Sequence, residues 1–169
     1  MKVSCSLLLL HALYRAAWAC AAEAEGTSSD TLVLCRACGH QLASGSDMGS
    51  VPSRLALSAS NHTLPGGRSV HVQVFQNPHG RRFHVVVFKK ADVVTRGPAD
   101  ERFSWFPGFS WTVVTCPQCS THLGWAFQPT SWPQTTSESE QTFLALIVHR
   151  LLREDFASSL LVTPKSFTG

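Results

Sequence analysis

From residue 69 onward the chain alternates between apolar and polar positions. Val70, Val72 and Val74 sit between polar residues, the pattern of a half-buried strand. Phe83 to Phe88 is a denser β-branched and aromatic run, which predicts a more deeply buried strand. Ser110–Thr115 and His122–Phe127 predict two more strands, and Arg54–Ser58 alternates over a shorter span. Turn signals separate them. These are the Gly/Ser/Asp-rich stretch 43–50, Asn61–Arg68 with Pro65-Gly66-Gly67, Asn77-Pro78-His79-Gly80, the break at Gly97-Pro98-Ala99-Asp100, and the Pro/Ser/Thr-rich loop 128–140. Phe143–Phe156 fits either a strand followed by a turn or an amphipathic helix. Short strands divided by turns imply an all-β domain.

The first 22 residues follow another pattern. Met1-Lys2 is a short positive start, Val3–Leu10 is nearly all apolar, and Ala16–Ala22 offers small residues for cleavage. That order predicts a signal peptide over 1–22 and a secreted protein. Residues 23–30 read as a flexible N-terminus, 31–160 as one folded domain, and 161–169 as a C-terminal tail. Apolar residues make up 44% of the chain and charged residues 15%, enough to build a core. Removing the leader lowers the formal net charge from +3 to +1 and leaves four of the six cysteines. No basic run exceeds two residues (Arg81-Arg82, Lys89-Lys90), so no nucleic-acid partner is expected. Past the leader the longest apolar run, Phe143–Val148, is too short to span a bilayer, so no membrane partner is expected either. Asn61-His62-Thr63 is a candidate N-glycan acceptor in a secreted chain.

The four remaining cysteines form two knuckles, Cys35-x-x-Cys38 and Cys116-x-x-Cys119. Two such knuckles can aim four thiolates at the corners of a tetrahedron, which suits a structural Zn²⁺. They lie far apart in the chain, so a metal would pin two regions of one domain rather than nucleate a small finger. Two disulfides, or one redox-active pair, are the alternatives in an oxidising compartment. His40 and His122 lie close to the knuckles, but four sulfurs already complete a closed site.

The segment Phe103-Ser104-Trp105-Phe106-Pro107-Gly108-Phe109-Ser110-Trp111 carries the clearest functional pattern. Pro107-Gly108 predicts the centre of a type II turn. Trp105 and Trp111 flank it almost symmetrically, and Trp111 and Trp125 flank Pro117-Gln118 in the same way. A one-residue register offset would set each pair opposite on one face. Two hairpins would then gather Trp105, Trp111 and Trp125, with Phe127 on the face of Trp125. Such a cluster is either a buried aromatic core or a cage for a flat or cationic ligand.

The string from Phe103 to Phe127, with Asn77-Pro78-His79-Gly80 and the early Cys35-x-x-Cys38, resembles the CULT domain, the thalidomide-binding domain of cereblon. The resemblance covers roughly residues 30–150. The leader makes the chain similar to secreted, single-domain members of that family, so 31–160 is expected to be the CULT-like domain. The resemblance implies a β-tent, two antiparallel sheets pinned by a structural zinc. It implies a pocket for a glutarimide, succinimide or uridine-like ring. Trp105, Trp111 and Trp125 would be its walls, Phe127 its floor, and Asn77, Pro78 and His79 its lip. Backbone groups around Phe103, Ser104 and Trp105 would meet the imide edge. The family carries a histidine where Phe103 stands, so a side-chain hydrogen bond is lost there. No ubiquitin-ligase partner is expected of a secreted chain.

Two rival readings differ in class. A B-type methionine sulfoxide reductase shares the β-tent and knuckles, but its chemistry needs a nucleophilic cysteine beyond the zinc set. The mature chain has none, which argues against an enzyme. The other rival is a structural or interaction module with the tryptophans as core.

Overall fold

A computed structural model describes residues 31–63, 69–130 and 142–154. The expected leader 1–22 with Cys5 and Cys20, the start 23–30, the Pro65-Gly66-Gly67 turn, most of the loop 128–140 and the tail 161–169 lie outside them.

Within the described residues the alternating segments form strands and no helix longer than a 3-10 turn. In chain order they are β1 (Leu32–Cys35), β2 (Gln41–Ser44), β3 (Met48–Gly49), β4 (Ser58–Thr63), β5 (Ser69–Gln76), β6 (Arg82–Phe88), β7 (Val94–Asp100), β8 (Phe109–Thr115), β9 (His122–Pro129), β10 (Phe143–Ile147) and β11 (Leu151–Arg153). Two antiparallel sheets result. The small one runs β11-β1-β2, and the large one β4-β5-β6-β10-β9-β8-β7, with β3 added on β6. The all-β expectation therefore holds. No helix among the described residues is long and apolar enough to cross a membrane.

The central strands of the large sheet are covered on both faces, while β4 and most of β7 at its edges are exposed, which explains its mixed patterning. On one face Val70, Val86, Phe88, Val114, Leu123 and Leu146 pack against Val33, Leu42 and Ala43 of the small sheet. On the other, Phe75, Phe83, Val85, Phe127, Phe143 and Ile147 pack beneath Phe106 and the three tryptophans. A strand buried on both faces reads as a continuous apolar run, and Phe83–Phe88 is one, broken only by exposed His84. Gly124 is required where β9 meets β10, because a Cβ there would collide with the Ala145 carbonyl oxygen.

Several local expectations change. The strand expected at Arg54–Ser58 begins instead at Ser58, since 51–57 runs irregularly over the aromatic face. The chain does not break at Gly97–Asp100. This stretch lies in β7, an edge strand with a register shift between Arg96 and Asp100, where Pro98 need not donate to a ladder. Of the predicted valine alternation in β5, Val70 is buried while Val72 and Val74 are only half-buried. Gln73 and Phe75 are the buried residues of the opposite face. Phe143–Phe156 resolves as strand, 3-10 turn and strand up to Arg153.

Candidate functional site

The two cysteine knuckles share one backbone design. In the first, the Gly39 N–H donates to Cys35 O at 2.8 Å and the Cys35 N–H to His40 O at 2.8 Å. In the second, the Ser120 N–H donates to Cys116 O and the Cys116 N–H to Thr121 O, both at 2.9 Å. Each turn closes on a left-handed residue, Gly39 (φ 76°) and Ser120 (φ 57°). Both knuckles therefore point two sulfurs the same way, and the packing of β1 against the end of β8 brings them face to face.

The four sulfurs lie within 4.8 Å of one another. Across the knuckles, Cys35 Sγ is 3.8 Å from Cys119 Sγ, and Cys38 Sγ is 3.7 Å from Cys116 Sγ. A disulfide needs about 2.05 Å. Tetrahedral thiolates at about 2.3 Å from a zinc ion would stand about 3.8 Å apart. The cluster thus has the dimensions of a metal site and not of two disulfides. Its electrostatics agree. The Thr121 hydroxyl, 3.2 Å from Cys119 Sγ, and the Thr121 amide lower that thiol to about 6. The His40 amide acts to lower Cys38, but desolvation and the neighbouring sulfurs push it up to about 12. Burial raises Cys35. Four sulfurs this close cannot all ionise without a cation between them. Cys35, Cys38, Cys116 and Cys119 together can coordinate a metal ion.

On the far face of the large sheet lies a cavity of about 430 Å³. Its walls are Trp105, Trp111, Trp125 and Phe127, with Asn77, Pro78, His79 and Phe103 around them. Eight of the nine expected ligand residues meet there. Ser104 does not, because its hydroxyl is turned to its own loop, donating to Phe106 O at 3.1 Å.

The tryptophans arrive by a different route from the two predicted hairpins. In the β8–β9 ladder Trp111 pairs with Phe127, and Trp125 with Val113. Trp111 and Trp125 are thus diagonal neighbours on one face, not opposite partners. Trp105 is in no strand. It sits in the loop between β7 and β8, which turns at Pro107-Gly108 with the Phe109 N–H donating to Phe106 O at 3.0 Å and Gly108 at φ 85°. That is the predicted type II geometry. It serves a loop because Trp105 and Phe106 gain more by packing than by laddering. Phe106 is buried against Phe127 (centroids 4.7 Å) and Phe143 (4.9 Å).

Hydrogen bonds hold two of the indoles. Trp111 Nε1–H donates to Arg102 O at 2.9 Å, and Trp105 Nε1–H to Gln76 O at 3.2 Å. Trp105 stacks on Phe75 at 4.9 Å and 7°, and meets Trp125 at 4.6 Å and 69°. Trp125 is braced by Phe83 at 5.1 Å and by His122 at 4.8 Å, both edge-on. All three tryptophans are half-buried, whereas Phe75, Phe106 and Phe127 are buried. The phenylalanines form the core, and the indoles line the cavity above it. The loop entrance is tied by Arg102 to Asp100 at 2.6 Å, whose carboxyl the guanidinium holds down to about 2. The lip is an Asx turn in which Asn77 Oδ1 accepts from the His79 and Arg81 amides at 3.1 and 2.9 Å.

Sequence reasoning missed the supporting residues. Gln73 is fully buried. Its Oε1 accepts from the Ser53 N–H at 2.7 Å, and its Nε2–H donates to Val51 O at 2.9 Å. Ser53 Oγ–H donates in turn to the Trp105 carbonyl at 2.5 Å. The only advance signal was a glutamine inside a valine alternation.

These features define a class: an all-β domain that combines a four-cysteine cluster with an aromatic cavity on opposite faces of one sheet. No protein-family model matches the chain. Among curated proteins it is similar to cereblon of Danio rerio, 39% identical over 54 residues, 31% of this chain and 12% of that protein. It is also similar to cereblon of Gallus gallus (37% over 57 residues, 33% and 13%) and of Drosophila melanogaster (30% over 102 residues, 59% and 15%). The chain thus spans about one eighth to one seventh of the length of these relatives. Over these stretches the chain is similar to cereblon, and the likeness falls on an all-β domain with a four-cysteine cluster that resembles a CULT domain.

Proposed function

We propose that this is a secreted, zinc-stabilised binding domain whose cavity holds a cyclic imide or a uridine-like ring. The observation that carries the reading is the wall of three half-buried indoles, two of them hydrogen-bonded through their own N–H groups so that their faces are preset. A flat ring with apolar methylenes and a C=O, N–H, C=O edge fits such walls. The polar edge has partners at hand. The Phe103 carbonyl and the Trp105 N–H make no hydrogen bond among the described residues, while the Trp105 carbonyl is taken by Ser53. Phe103 is 75% exposed and held at φ 59°, an unfavourable conformation for a bulky residue that suits a backbone group presented at a site. Binding there uses the main chain, so the phenylalanine replaces the family's histidine without removing the carbonyl.

In this reading the four cysteines hold a structural Zn²⁺, which supplies folding energy and no open coordination position. Asn61, exposed on β4, carries an N-glycan if the leader directs export. The partner is a small molecule, with no ubiquitin ligase. The test is a titration of tryptophan emission with glutarimide and uridine, paired with competition against a labelled thalidomide probe. A saturable emission change and displacement of the probe are expected. Unchanged emission with no probe binding would overturn the reading and leave a structural module.

A further inference from the structure

Five cationic or titratable side chains, distant in sequence, come together on one exposed surface at the edge of the first knuckle. Arg36 lies between Cys35 and Cys38, and its N–H donates to Arg150 O at 2.9 Å. The β10–β6 register pairs Ile147 with Val85, and its continuation lays the 3-10 turn Val148–Arg150 beside His84. Arg81 closes the Asn77 turn one residue before β6, its carbonyl accepting from the Asn77 N–H at 2.9 Å. Arg36, Arg81, His84, His149 and Arg150 are all exposed. Burial first, and then the positive charges of Arg150, Arg81 and Arg36, lower the His149 imidazole.

Among the described residues the three guanidinium groups have no hydrogen bond or ion pair. Among the described carboxylates, Asp47 pairs with Lys90, Asp92 with His40 and Asp100 with Arg102, and neither Glu101 nor Glu154 forms an ion pair with the three arginines. Among the described residues no carboxylate pairs with these arginines, and like charges so gathered repel one another, so the arrangement points outward to an anion. The main-chain roles of Arg36, Arg81 and Arg150 do not require their side chains, which leaves the guanidinium groups available.

We propose that this surface binds a sulfated polysaccharide. Guanidinium forks match the oxygens of sulfate esters in paired, charge-assisted hydrogen bonds. A polymer of regularly spaced sulfates can engage several arginines together. Nucleic acid fits less well, because among the described residues this surface has no exposed Phe or Trp, the rings on which bases stack best. The exposed large apolar side chains of the described residues are Leu55, Leu57, Phe103 and Val148, and only Val148 belongs to this surface. An anionic membrane would find the single side chain of Val148 to insert, too little for an apolar face. The main chain of Arg81 belongs to the turn at the cavity's lip, but none of the three arginines lines the cavity, so side-chain substitutions there can remove heparin binding and leave imide binding in place.

The test uses the full chain on immobilised heparin, with affinity measured across a NaCl series. Wild-type protein is expected to bind with a steep salt dependence. The double variant Arg81→Ser, Arg150→Ser should lose about tenfold or more in affinity and show a shallower salt slope. The double variant Lys89→Ser, Lys90→Ser, which loses the same charge elsewhere, should match wild type. Circular dichroism confirms that both fold, and the single Arg150→Ser variant, expected to fall between, serves if the double does not. Equal loss in the lysine variant, or no loss in the arginine variants, would overturn the proposal. So would single-stranded DNA binding as tightly as heparin with the same arginine dependence.

Discussion

At the scale of single residues, the cavity depends on groups that never line it. Gln73 fixes Ser53, and Ser53 holds the Trp105 carbonyl. A buried amide satisfied on both sides in this way locks the irregular segment 51–55 against one wall. Removing the hydroxyl frees the Trp105 peptide to shift. Ser53→Ala should therefore weaken imide binding by about three- to tenfold, the effect of one hydrogen bond. Competition with a labelled thalidomide probe measures it, and unchanged affinity in a folded variant would show that Trp105 is positioned by packing alone. The lining residues themselves were legible in the sequence, because Trp, Phe and the Asn-Pro-His-Gly turn have strong local signatures. Gln73 was not. Its burial follows from the second covered face of the large sheet, which no local pattern announces.

At the scale of elements, the two knuckles share their main-chain hydrogen bonds but differ at the position that takes the left-handed conformation. The left-handed position after the second cysteine is Gly39 in one and Ser120 in the other. A non-glycine residue there is strained by about 1–2 kcal/mol, partly offset by the smaller backbone entropy it loses on folding. Ser120→Gly is therefore expected to stabilise the protein by about 0.5–1 kcal/mol, read as a higher urea midpoint at unchanged m-value. A lower midpoint would mean that the serine side chain supports the turn. The knuckles could be read from their spacing because each is local. The tryptophan hairpins could not. Symmetry about Pro107-Gly108 fits a hairpin equally well, but Phe106 has a buried slot between Phe127 and Phe143, and filling it takes 101–108 out of the ladder. In the β8–β9 ladder Trp125 likewise faces Val113 and not Trp111, and the register shift between Val114 and Thr115 supplies one of the two residues of that displacement.

At the scale of the whole molecule, the large sheet joins two sites on opposite faces. Cys35 is buried with the inter-sheet core, and Cys116 follows β8, the strand that also carries Trp111. Loss of the metal should therefore undo the domain and not merely empty one end. Treating the purified protein with a strong zinc chelator should remove about one zinc per chain and abolish both the cooperative thermal transition and probe binding. Zinc added back should restore them. A chelated protein with its melting temperature intact would make the cluster dispensable. The cationic surface belongs to this scale as well, since its five residues meet only in the folded chain.

The central claim is that three indoles enclose a cyclic imide. Its most direct test is a crystal structure of the protein grown with glutarimide, with anomalous data collected at the zinc edge. The account predicts the imide ring between Trp105, Trp111 and Trp125, its N–H toward the Phe103 carbonyl and a ring carbonyl toward the Trp105 N–H, with one zinc peak among the four sulfurs. An imide bound elsewhere, or a cavity without it at saturating concentration, would contradict that claim.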